Sequence, residues 1–266
     1  MKLANGKELA ADIIMANTTP HITYNHLLNE TQRATLIPEQ TMKAINTIDY
    51  RSPVTKINVA INKIPNFLAK PNEHEHHVQP HHQCTIHLNC EDLDIVHDAY
   101  LEAEVEKIPS RKPMIEMCMA STLDKTLTED PNHHVVSLFT QYTPIKLGKE
   151  QRDWTPQDKI DYAEGQIFKT IDRYAPGFSE SVVGYECLTP GDLEKELGLT
   201  GGNIFHGSMS LDQLFFTRPL AKFPGSVTPI KNLFVCGAGG HPGGGVMGSA
   251  GRLAAMAALQ SKNVTK

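Results

Sequence analysis

Short stretches in which apolar and polar residues alternate predict half-buried β-strands in the middle of the chain, because successive side chains of a strand point to opposite faces. These stretches are residues 53–61, 83–90, 114–120 and 135–142. In the first, the apolar set is Val54, Ile57, Val59 and Ile61. In the second, one face is expected to carry Cys84, Ile86, Leu88 and Cys90, and the other Thr85, His87 and Asn89.

A longer period predicts helices after these strands. Thr155, Pro156 and Asp158 have the spacing of a capped helix start. The helix that follows is expected to bury one stripe of side chains, made of Ile160, Ala163, Ile167, Ile171 and Tyr174. The Pro-Gly pair at 176–177 ends it, and residues 190–197 form a second, short helix. Strands and helices together predict a mixed α/β fold.

The first residues read as a β-hairpin. Asn5-Gly6 is a strong signal for a two-residue turn, so residues 1–9 are expected to pair with each other. An apolar strand over residues 11–16 follows, and residues 17–20 break it. Residues 71–80 are the best candidate for a surface loop or insertion.

The composition excludes several function classes. Of 266 residues, 40% are hydrophobic and 21% are charged, which is typical of a globular protein with a sizeable core. The net charge is −5 and no basic patch is present, so we expect no nucleic-acid partner. No apolar run approaches the ~20 residues of a transmembrane helix. Five irregularly spaced cysteines do not form a disulfide framework, which favours a reducing compartment.

The most informative segment is residues 233–252, LFVCGAGGHPGGGVMGSAGR, in which an apolar run passes through a glycine-rich loop towards a helix. Glycines let the backbone approach a ligand, and the unpaired amides and dipole of a helix start attract negative charge. The loop departs from the dinucleotide fingerprint, because Pro242 stands at the third glycine position and no second strand follows. The other interpretation is a tight connection whose glycines only allow close helix packing.

Several motifs of the chain are similar to the C-terminal half of the phytoene desaturase-like flavoproteins. They are LTGGNIFHG at 199–207, MSLDQ at 209–213, Arg218-Pro219, the loop at 237–252, RSPVTKINV at 51–59, PHHQCTIHLNCED at 80–92 and VVSLFTQYTP at 135–144. The resemblance therefore covers almost the whole chain and rests on long motifs.

This resemblance implies an α/β (α+β) flavoprotein fold in two parts, a Rossmann-like FAD domain and a substrate domain with a mostly antiparallel sheet and covering helices. Residues 1–25 and 225–266 are expected to belong to the FAD domain, and residues 26–224 to the substrate domain. Such proteins open with a βαβ unit that carries G-x-G-x-x-G, and nothing in this chain matches it. We therefore expect the chain to be a C-terminal portion or an incomplete version.

The resemblance also implies which residues meet the cofactor. Residues 237–240 are expected near the ribityl-pyrophosphate region of FAD, and residues 242–248 beside the isoalloxazine ring. The cofactor-binding residues predicted in this way are Gly237, Ala238, Gly239, Pro242, Gly243, Gly244, Gly245, Val246, Met247 and Gly248. The amides of Val246 and Met247 are expected to donate to the electron-rich edge of the ring. Without the missing unit, the chain should bind FAD weakly or not at all.

Single side chains offer further candidates for chemistry. The resemblance places His206 between the substrate sheet and the flavin, where it would donate to the cofactor or act as an acid or base. The alternative, which we favour, is a buried histidine bonded to the backbone. Asp212 and Arg218 are expected to form a structural ion pair. Cys187 and Cys236 are expected to be core residues, since the chain lacks a C-x-x-C redox pair.

A histidine-rich segment lies beside two cysteines and contains His74, His76, His77, His81, His82 and His87, with Cys84 and Cys90 nearby. These are side chains that bind zinc, but no C-x-x-C or H-x-x-x-H spacing is present. The strand pattern also separates the cysteines from His87. We expect no native metal site, and chance capture of metal by an exposed loop is the alternative.

Two functions stay open from the sequence. The first is an FAD-dependent oxidoreductase acting on a small, apolar substrate, with this chain supplying the substrate domain and the flavin-facing loop. The second is a non-catalytic binding or regulatory module that keeps the fold without flavin. The resemblance further implies the mitochondrial matrix, although the chain carries no recognisable targeting segment.

Overall fold

The computed structural model of the protein describes residues 1–51, 54–74 and 77–263. Pro53, from the first predicted strand, and His76, from the histidine-rich segment, lie outside these residues.

The chain forms two compact units. One is the continuous segment Pro53–Leu193, and the other combines Met1–Ser52 with Glu194–Lys266. These boundaries differ from the predicted division at residues 25 and 224. Which residues form an FAD domain and which a substrate domain stays a prediction.

The β-strands of the described residues form three sheets. The strands are β1 (Ile14–Ala16), β2 (Thr55–Ile61), β3 (Ile86–Leu88), β4 (Met114–Cys118), β5 (His134–Gln141), β6 (Val182–Leu188), β7 (Pro219–Leu220), β8 (Phe223–Pro224) and β9 (Leu233–Val235). An antiparallel five-stranded sheet has the order β3-β4-β5-β2-β6. Strand β1 pairs with β9 in parallel, and β7 pairs with β8 antiparallel.

The helices fall between and after these strands. The α-helices are α1 (Glu30–Leu36), α2 (Glu39–Asn46), α3 (Leu93–Leu101), α4 (Pro156–Ile160), α5 (Lys169–Tyr174), α6 (Phe178–Ser181), α7 (Pro190–Leu197) and α8 (Ser249–Asn263). Wider π-helical turns cover Ile22–His26, Glu102–Glu106 and Asp161–Phe168. Short 3₁₀ turns cover Pro80–Gln83, Ala120–Thr122, Lys125–Leu127, Thr200–Gly202, Leu211–Gln213 and Phe215–Thr217. None of the helices in the described ranges has the length and apolarity of a membrane-spanning segment.

This mixture of helices with a mostly antiparallel sheet confirms the predicted α/β (α+β) class. The strands expected over residues 53–61, 114–120 and 135–142 are present with slightly different ends. The predicted pairing within residues 1–9 is present: Lys2 and Glu8 form an antiparallel bridge. The Leu3 amide donates to the Lys7 carbonyl, and the Leu9 amide to the Met1 carbonyl, each at 2.8 Å.

One face of the five-stranded sheet forms the main hydrophobic core of the unit Pro53–Leu193. Strand β2 buries every second residue, and these residues are Thr55, Ile57, Val59 and Ile61. Buried residues of β4 and β5 join them in the same cluster: Ile115, Met117, Val136 and Leu138. Burial at alternate positions is what a sheet with one covered face requires.

The strand predicted over residues 83–90 is shorter than expected. Ile86 and Leu88 pack on the core as predicted, but Cys84 and Cys90 are exposed. Their assignment to the apolar face was wrong, because only Ile86–Leu88 is strand and a 3₁₀ turn precedes it.

The helical segment that covers this core begins as predicted. The Thr155 hydroxyl accepts a hydrogen bond from the Asp158 amide, and the Asp158 carboxylate accepts one from the Thr155 amide, which is a capping box. Ala163, Ile167 and Ile171 are fully buried.

The outer end of the predicted stripe does not follow the prediction, because Ile160 is 41% exposed. The π-helical turn Asp161–Phe168 contains more residues per turn than an α-helix. The apolar face is therefore rotated there, and Tyr162 and Phe168 are buried in addition.

Truncation of the buried face of this segment should destabilise the fold. We expect Ile167→Ala to lower the free energy of unfolding by about 2–5 kcal/mol, since it opens a cavity at a position with 0% exposure. The matched control Ile160→Ala, in the same helical segment, should cost under about 1 kcal/mol. Urea unfolding followed by the fluorescence of Trp154, the single tryptophan, measures both. Equal losses would contradict the assigned core face.

A fully buried histidine, His82, fixes the 3₁₀ turn Pro80–Gln83. Its Nδ1 accepts a hydrogen bond from the Gln79 amide at 3.0 Å, so its Nε2 carries the proton and donates to the Pro65 carbonyl at 3.0 Å. Burial lowers the pKa of His82, and the neighbouring His81 and His134 lower it further despite the opposing bond to Pro65. The ring is thus held neutral.

Acidification should therefore destabilise the protein. Because the pKa of His82 in the folded chain lies below its ordinary value of 6.5, the unfolded chain takes up protons more readily. We expect the free energy of unfolding to fall as the pH decreases below 6.5, measured by urea titrations between pH 7.5 and 5. In His82→Gln the free energy of unfolding should decrease less over this pH range. In the exposed control His97→Gln it should decrease as much as in the unchanged protein. An identical pH dependence in both variants would refute this role of His82.

Candidate functional site

The glycine-rich loop starts where two parallel strands end side by side. In the parallel pair, Ala16 of β1 is opposite Val235 of β9, and the Cys236 amide donates to the Ala16 carbonyl at 2.9 Å. Asn17 and Gly237 therefore lie next to each other at the carboxyl ends of both strands. In open parallel sheets, ligands bind at this edge.

The first glycines of the loop are needed for close packing inside the unit. A Cβ atom on Gly237 would overlap the side chain of Asn17, and one on Gly240 would lie 2.9 Å from the Gly225 carbonyl oxygen. Close approach of the backbone thus explains these positions without a ligand, as the second interpretation of the sequence supposed.

The later residues of the loop are arranged differently. Gly243, Gly245, Val246 and Gly248 all have positive φ angles, of 108°, 138°, 52° and 70°. Val246 is fully exposed and Met247 is 56% exposed. Within the described part of the chain, the amides of residues 244–247 have no hydrogen-bond acceptor.

Helix α8 continues this row of free amides. It begins at Ser249, and the Arg252 amide donates to the Gly248 carbonyl at 3.0 Å, so Gly248 is the N-cap residue. Val246 and Met247 therefore precede the helix instead of forming its first turn. The unpaired amides and the helix dipole together create a region that attracts negative charge.

Arg218 holds the glycine-rich loop in place through hydrogen bonds to its main chain. Its guanidinium is 2% exposed and donates from Nε and Nη2 to the Ala238 carbonyl at 3.1 and 2.9 Å. Further N–H groups donate to the carbonyls of Gln213, Ser208 and Phe205. The predicted ion pair with Asp212 was wrong: every hydrogen bond described for the Arg218 side chain goes to main-chain oxygen, and Asp212 is exposed.

Asn203 is a second buried anchor of this region, and sequence reasoning did not single it out. It is fully buried, its Nδ2 donates to the carbonyls of Tyr50 and Arg51 at 3.2 and 2.9 Å, and its Oδ1 accepts from the Phe205 amide at 2.8 Å. The sequence signal that could have identified Asn203 is its place after two glycines, within LTGGNIFHG.

His206 lies beside Gly239, with its Cβ 3.6 Å from the position that a Cβ on that glycine would take. Its Nδ1 is buried and has no hydrogen-bond partner among the described residues. Burial lowers the pKa of His206, and the charge of Arg218 lowers it further, so the ring is neutral. The expected bond to the backbone is therefore not formed by Nδ1, and a role in catalysis stays a prediction.

The cavity that reaches His206, Arg218 and Gly239 holds only about 10 Å³. This cavity is too small for a ring system. A larger cavity of about 590 Å³ lies within the unit Pro53–Leu193, and none of the predicted site residues lines it.

The histidine-rich segment is not brought together as one cluster. His82 is buried in the 3₁₀ turn, while His74 and His77 lie in an exposed loop and His87 is exposed on β3. In residues 1–51, 54–74 and 77–263, no group of three His, Cys, Asp or Glu side chains is placed to hold a metal ion. Cys187 and Cys236 are half-buried free thiols, and burial raises the pKa of both.

The packing of the loop leads to a test with a matched pair of glycines. We expect Gly240→Ala to lower the free energy of unfolding by about 1–3 kcal/mol, because the new methyl group would press on the Gly225 carbonyl. In Gly251→Ala the nearest atom, the Cys236 carbonyl oxygen, is 3.7 Å away, and the helix should gain about 0.5–1 kcal/mol. Thermal unfolding followed by circular dichroism measures both. Two variants of equal stability would contradict the packing described here.

Comparison with known proteins gives close relatives but no matching family model. The chain is 48% identical over 253 residues to pyridine nucleotide-disulfide oxidoreductase domain-containing protein 2 of Mus musculus, which covers 95% of this chain and 42% of the mouse protein. It is 24% identical over 258 residues to the phytoene desaturase (lycopene-forming) of Paracoccus sp., covering 96% of this chain and 45% of that enzyme.

A solved structure, an oxidoreductase from Methanosarcina mazei, matches with a TM-score of 0.49 and 15% identity, over 96% of this chain and 44% of that one. The chain thus spans less than half the length of the curated relatives that it matches.

Proposed function

The chain belongs to the family of pyridine nucleotide-disulfide oxidoreductase domain-containing protein 2, and from this membership we propose that it forms part of an FAD-dependent oxidoreductase. In this proposal residues 242–248 contact the isoalloxazine ring and residues 237–240 lie near the ribityl-pyrophosphate region, as predicted from the sequence. Residues 26–224 would supply the substrate domain, and residues 1–25 and 225–266 would complete the FAD domain.

The observation that carries the proposal is the row of unpaired amides at residues 244–247, followed at once by the start of α8. Backbone amides bind an acceptor wherever one is offered, and those of the exposed residues 245–247 are open to solvent or to a ligand. The N1–C2 edge of a flavin accepts hydrogen bonds and gains negative charge on reduction, so it matches this row in both shape and charge.

Residues 244–247 suit contact with the isoalloxazine ring of FAD, whereas the sequence has no motif that suits its adenosine part. Exposed Val246 and Met247 leave the amide row accessible to a flat ring. No dinucleotide fingerprint is present in the sequence to hold a pyrophosphate. A bound flavin would supply hydride or electron transfer, and the protein's own contribution is to orient the ring and to stabilise its charge.

In this proposal, Arg218 is a positioning residue. By fixing the Ala238 carbonyl it holds the loop between β9 and α8, so that the amides of residues 244–247 keep one arrangement. His206 is neutral beside this loop, and its buried Nδ1 has no hydrogen-bond partner among the described residues. The substrate is proposed to be small and apolar, and the mitochondrial matrix stays a predicted location.

The test uses a version of the protein extended to the length of its curated relatives. We expect it to purify with bound FAD, identified by its absorbance near 450 nm and by chromatography of the released cofactor. Val246→Asp places a carboxylate beside the amide row at a fully exposed position. It should lower FAD occupancy or lower the flavin midpoint potential by roughly 20 mV, the equivalent of about 1 kcal/mol of charge repulsion.

The control is Leu259→Asp, which puts the same charge on an exposed position further along α8. It should change neither occupancy nor potential. An extended protein that binds FAD but responds equally to both substitutions would place the ring elsewhere. A colourless extended protein would favour the second function, a binding module that keeps the fold without flavin.

A further inference from the structure

Lys56 lies on β2, between β5 and the edge strand β6 of the five-stranded sheet, on the face opposite to the hydrophobic core. Its register partners are Phe139 on β5 and Leu188 on β6. Residues directly opposite each other in an antiparallel pair share a face, so the lysine stands between two half-buried apolar side chains. Its Nζ is 4.9 Å from the centre of the Phe139 ring. A half-buried ammonium group in apolar surroundings needs an explanation.

The contacts of this ammonium group are neutral. Nζ donates to Asn58 Oδ1 and to Ser137 Oγ, each at 2.6 Å. Asn58 in turn donates from Nδ2 to Glu186 Oε2 at 3.3 Å, so the amide stands between the two charged groups. Among the described residues, no carboxylate oxygen lies within 4.0 Å of Nζ. The positive charge of Lys56 is therefore not neutralised by an ion pair in the described structure.

Two hydrogen-bond donors remain free at the same place. Lys56 has three N–H groups and uses two of them. The Ser137 hydroxyl accepts from Lys56, and its own proton has no acceptor among the described residues. The two donor atoms are 2.6 Å apart. This spacing suits the two oxygen atoms of one carboxylate, each receiving one hydrogen bond.

We infer that Lys56 and Ser137 bind the carboxylate of a small molecule whose apolar part lies along Phe139 and Leu188. A single positive charge suits a monoanion, and the charge would be compensated without removing any existing contact. The binding step is independent of flavin. The further assignment of this molecule as the substrate of the oxidoreductase rests on the proposed function.

The ionisation of Lys56 is consistent with this site. Burial lowers the pKa of Lys56 to about 8, against smaller opposing effects of Cys118 and Glu186. The lysine is thus charged at neutral pH and loses its proton within the next two pH units. A bound carboxylate favours the charged form, so binding should be strongest below pH 8.

Calorimetric titration of the 266-residue chain with hexanoate and with its neutral isostere hexanamide tests the inference. We expect hexanoate to bind more tightly than hexanamide at pH 7. Lys56→Met should weaken hexanoate binding by roughly 10–100-fold and abolish the preference, whereas Lys56→Arg should retain it. Lys149→Met removes an exposed lysine as a matched control and should behave like the unchanged chain. Between pH 7 and 9, hexanoate affinity should fall about tenfold as Lys56 is deprotonated.

A second measurement covers the case in which Lys56→Met fails to fold. In the unchanged chain, reductive methylation with formaldehyde and a borane reagent, mapped by mass spectrometry, reports the access of each amine. Hexanoate should slow the modification of Lys56 and leave that of Lys149 unchanged. The inference is overturned if hexanoate and hexanamide bind equally, if Lys56→Met keeps the preference, or if Lys56 is not protected. Since no flavin is present in either assay, these outcomes do not depend on the proposed cofactor.

Discussion

The buried guanidinium of Arg218 is the interaction on which the arrangement of the glycine loop depends. It reaches the Ala238 carbonyl in the loop and the carbonyls of Phe205, Ser208 and Gln213 in a second irregular segment. Irregular backbone inside a protein leaves acceptors that helices and sheets do not satisfy. An arginine supplies five N–H groups from one side chain and satisfies several of these acceptors at once. Its charge is stabilised by the carbonyl dipoles, which explains why it is buried with no carboxylate partner among residues 1–51, 54–74 and 77–263.

The anchoring of the Ala238 carbonyl by Arg218 accounts for the division of the glycine loop into two parts with different chemistry. In the first part, Gly237 and Gly240 are packed against Asn17 and Gly225 so tightly that only glycine fits at these two positions. In the second part, the amides of residues 244–247 have no acceptor among the described residues, and the side chains of Val246 and Met247 are exposed. The tight part fixes where the open part lies. Close packing also constrains Gly243 and Gly244, because a Cβ atom there would overlap Met209 and Phe205. The two interpretations of the loop drawn from the sequence, close packing and ligand binding, therefore overlap at these residues.

Regular elements with a strong local signal could be predicted from the sequence. The capping box at Thr155 and the alternation of β2 each follow from a few neighbouring residues. Features set by distant residues could not be predicted. Ile160 is exposed because a π-helical turn rotates the helix face, and the 3.6-residue period contains no sign of that turn. Cys84 and Cys90 continue the alternation of β3 in the sequence but lie beyond its ends.

The position of the candidate site followed from its glycines, but the buried polar groups around it did not. Arg218 was paired with Asp212 because the two are close in the sequence, whereas its partners are main-chain carbonyls that no side-chain pattern reveals. Lys56 was overlooked for a related reason. A lysine at a polar position of an alternating strand is typical of a solvated face, and only the structure places it between Phe139 and Leu188.

The parallel pairing of β1 with β9 has a consequence for synthesis on the ribosome. Ile14 is translated long before its partner Leu233, because 219 positions separate the two residues (233 − 14). The continuous unit Pro53–Leu193 has all its strands available earlier and can fold while translation proceeds. The unit that carries the glycine loop has a much higher contact order and must wait for the C-terminal residues. During that interval β1 lacks its partner strand, and an unpaired strand edge favours aggregation.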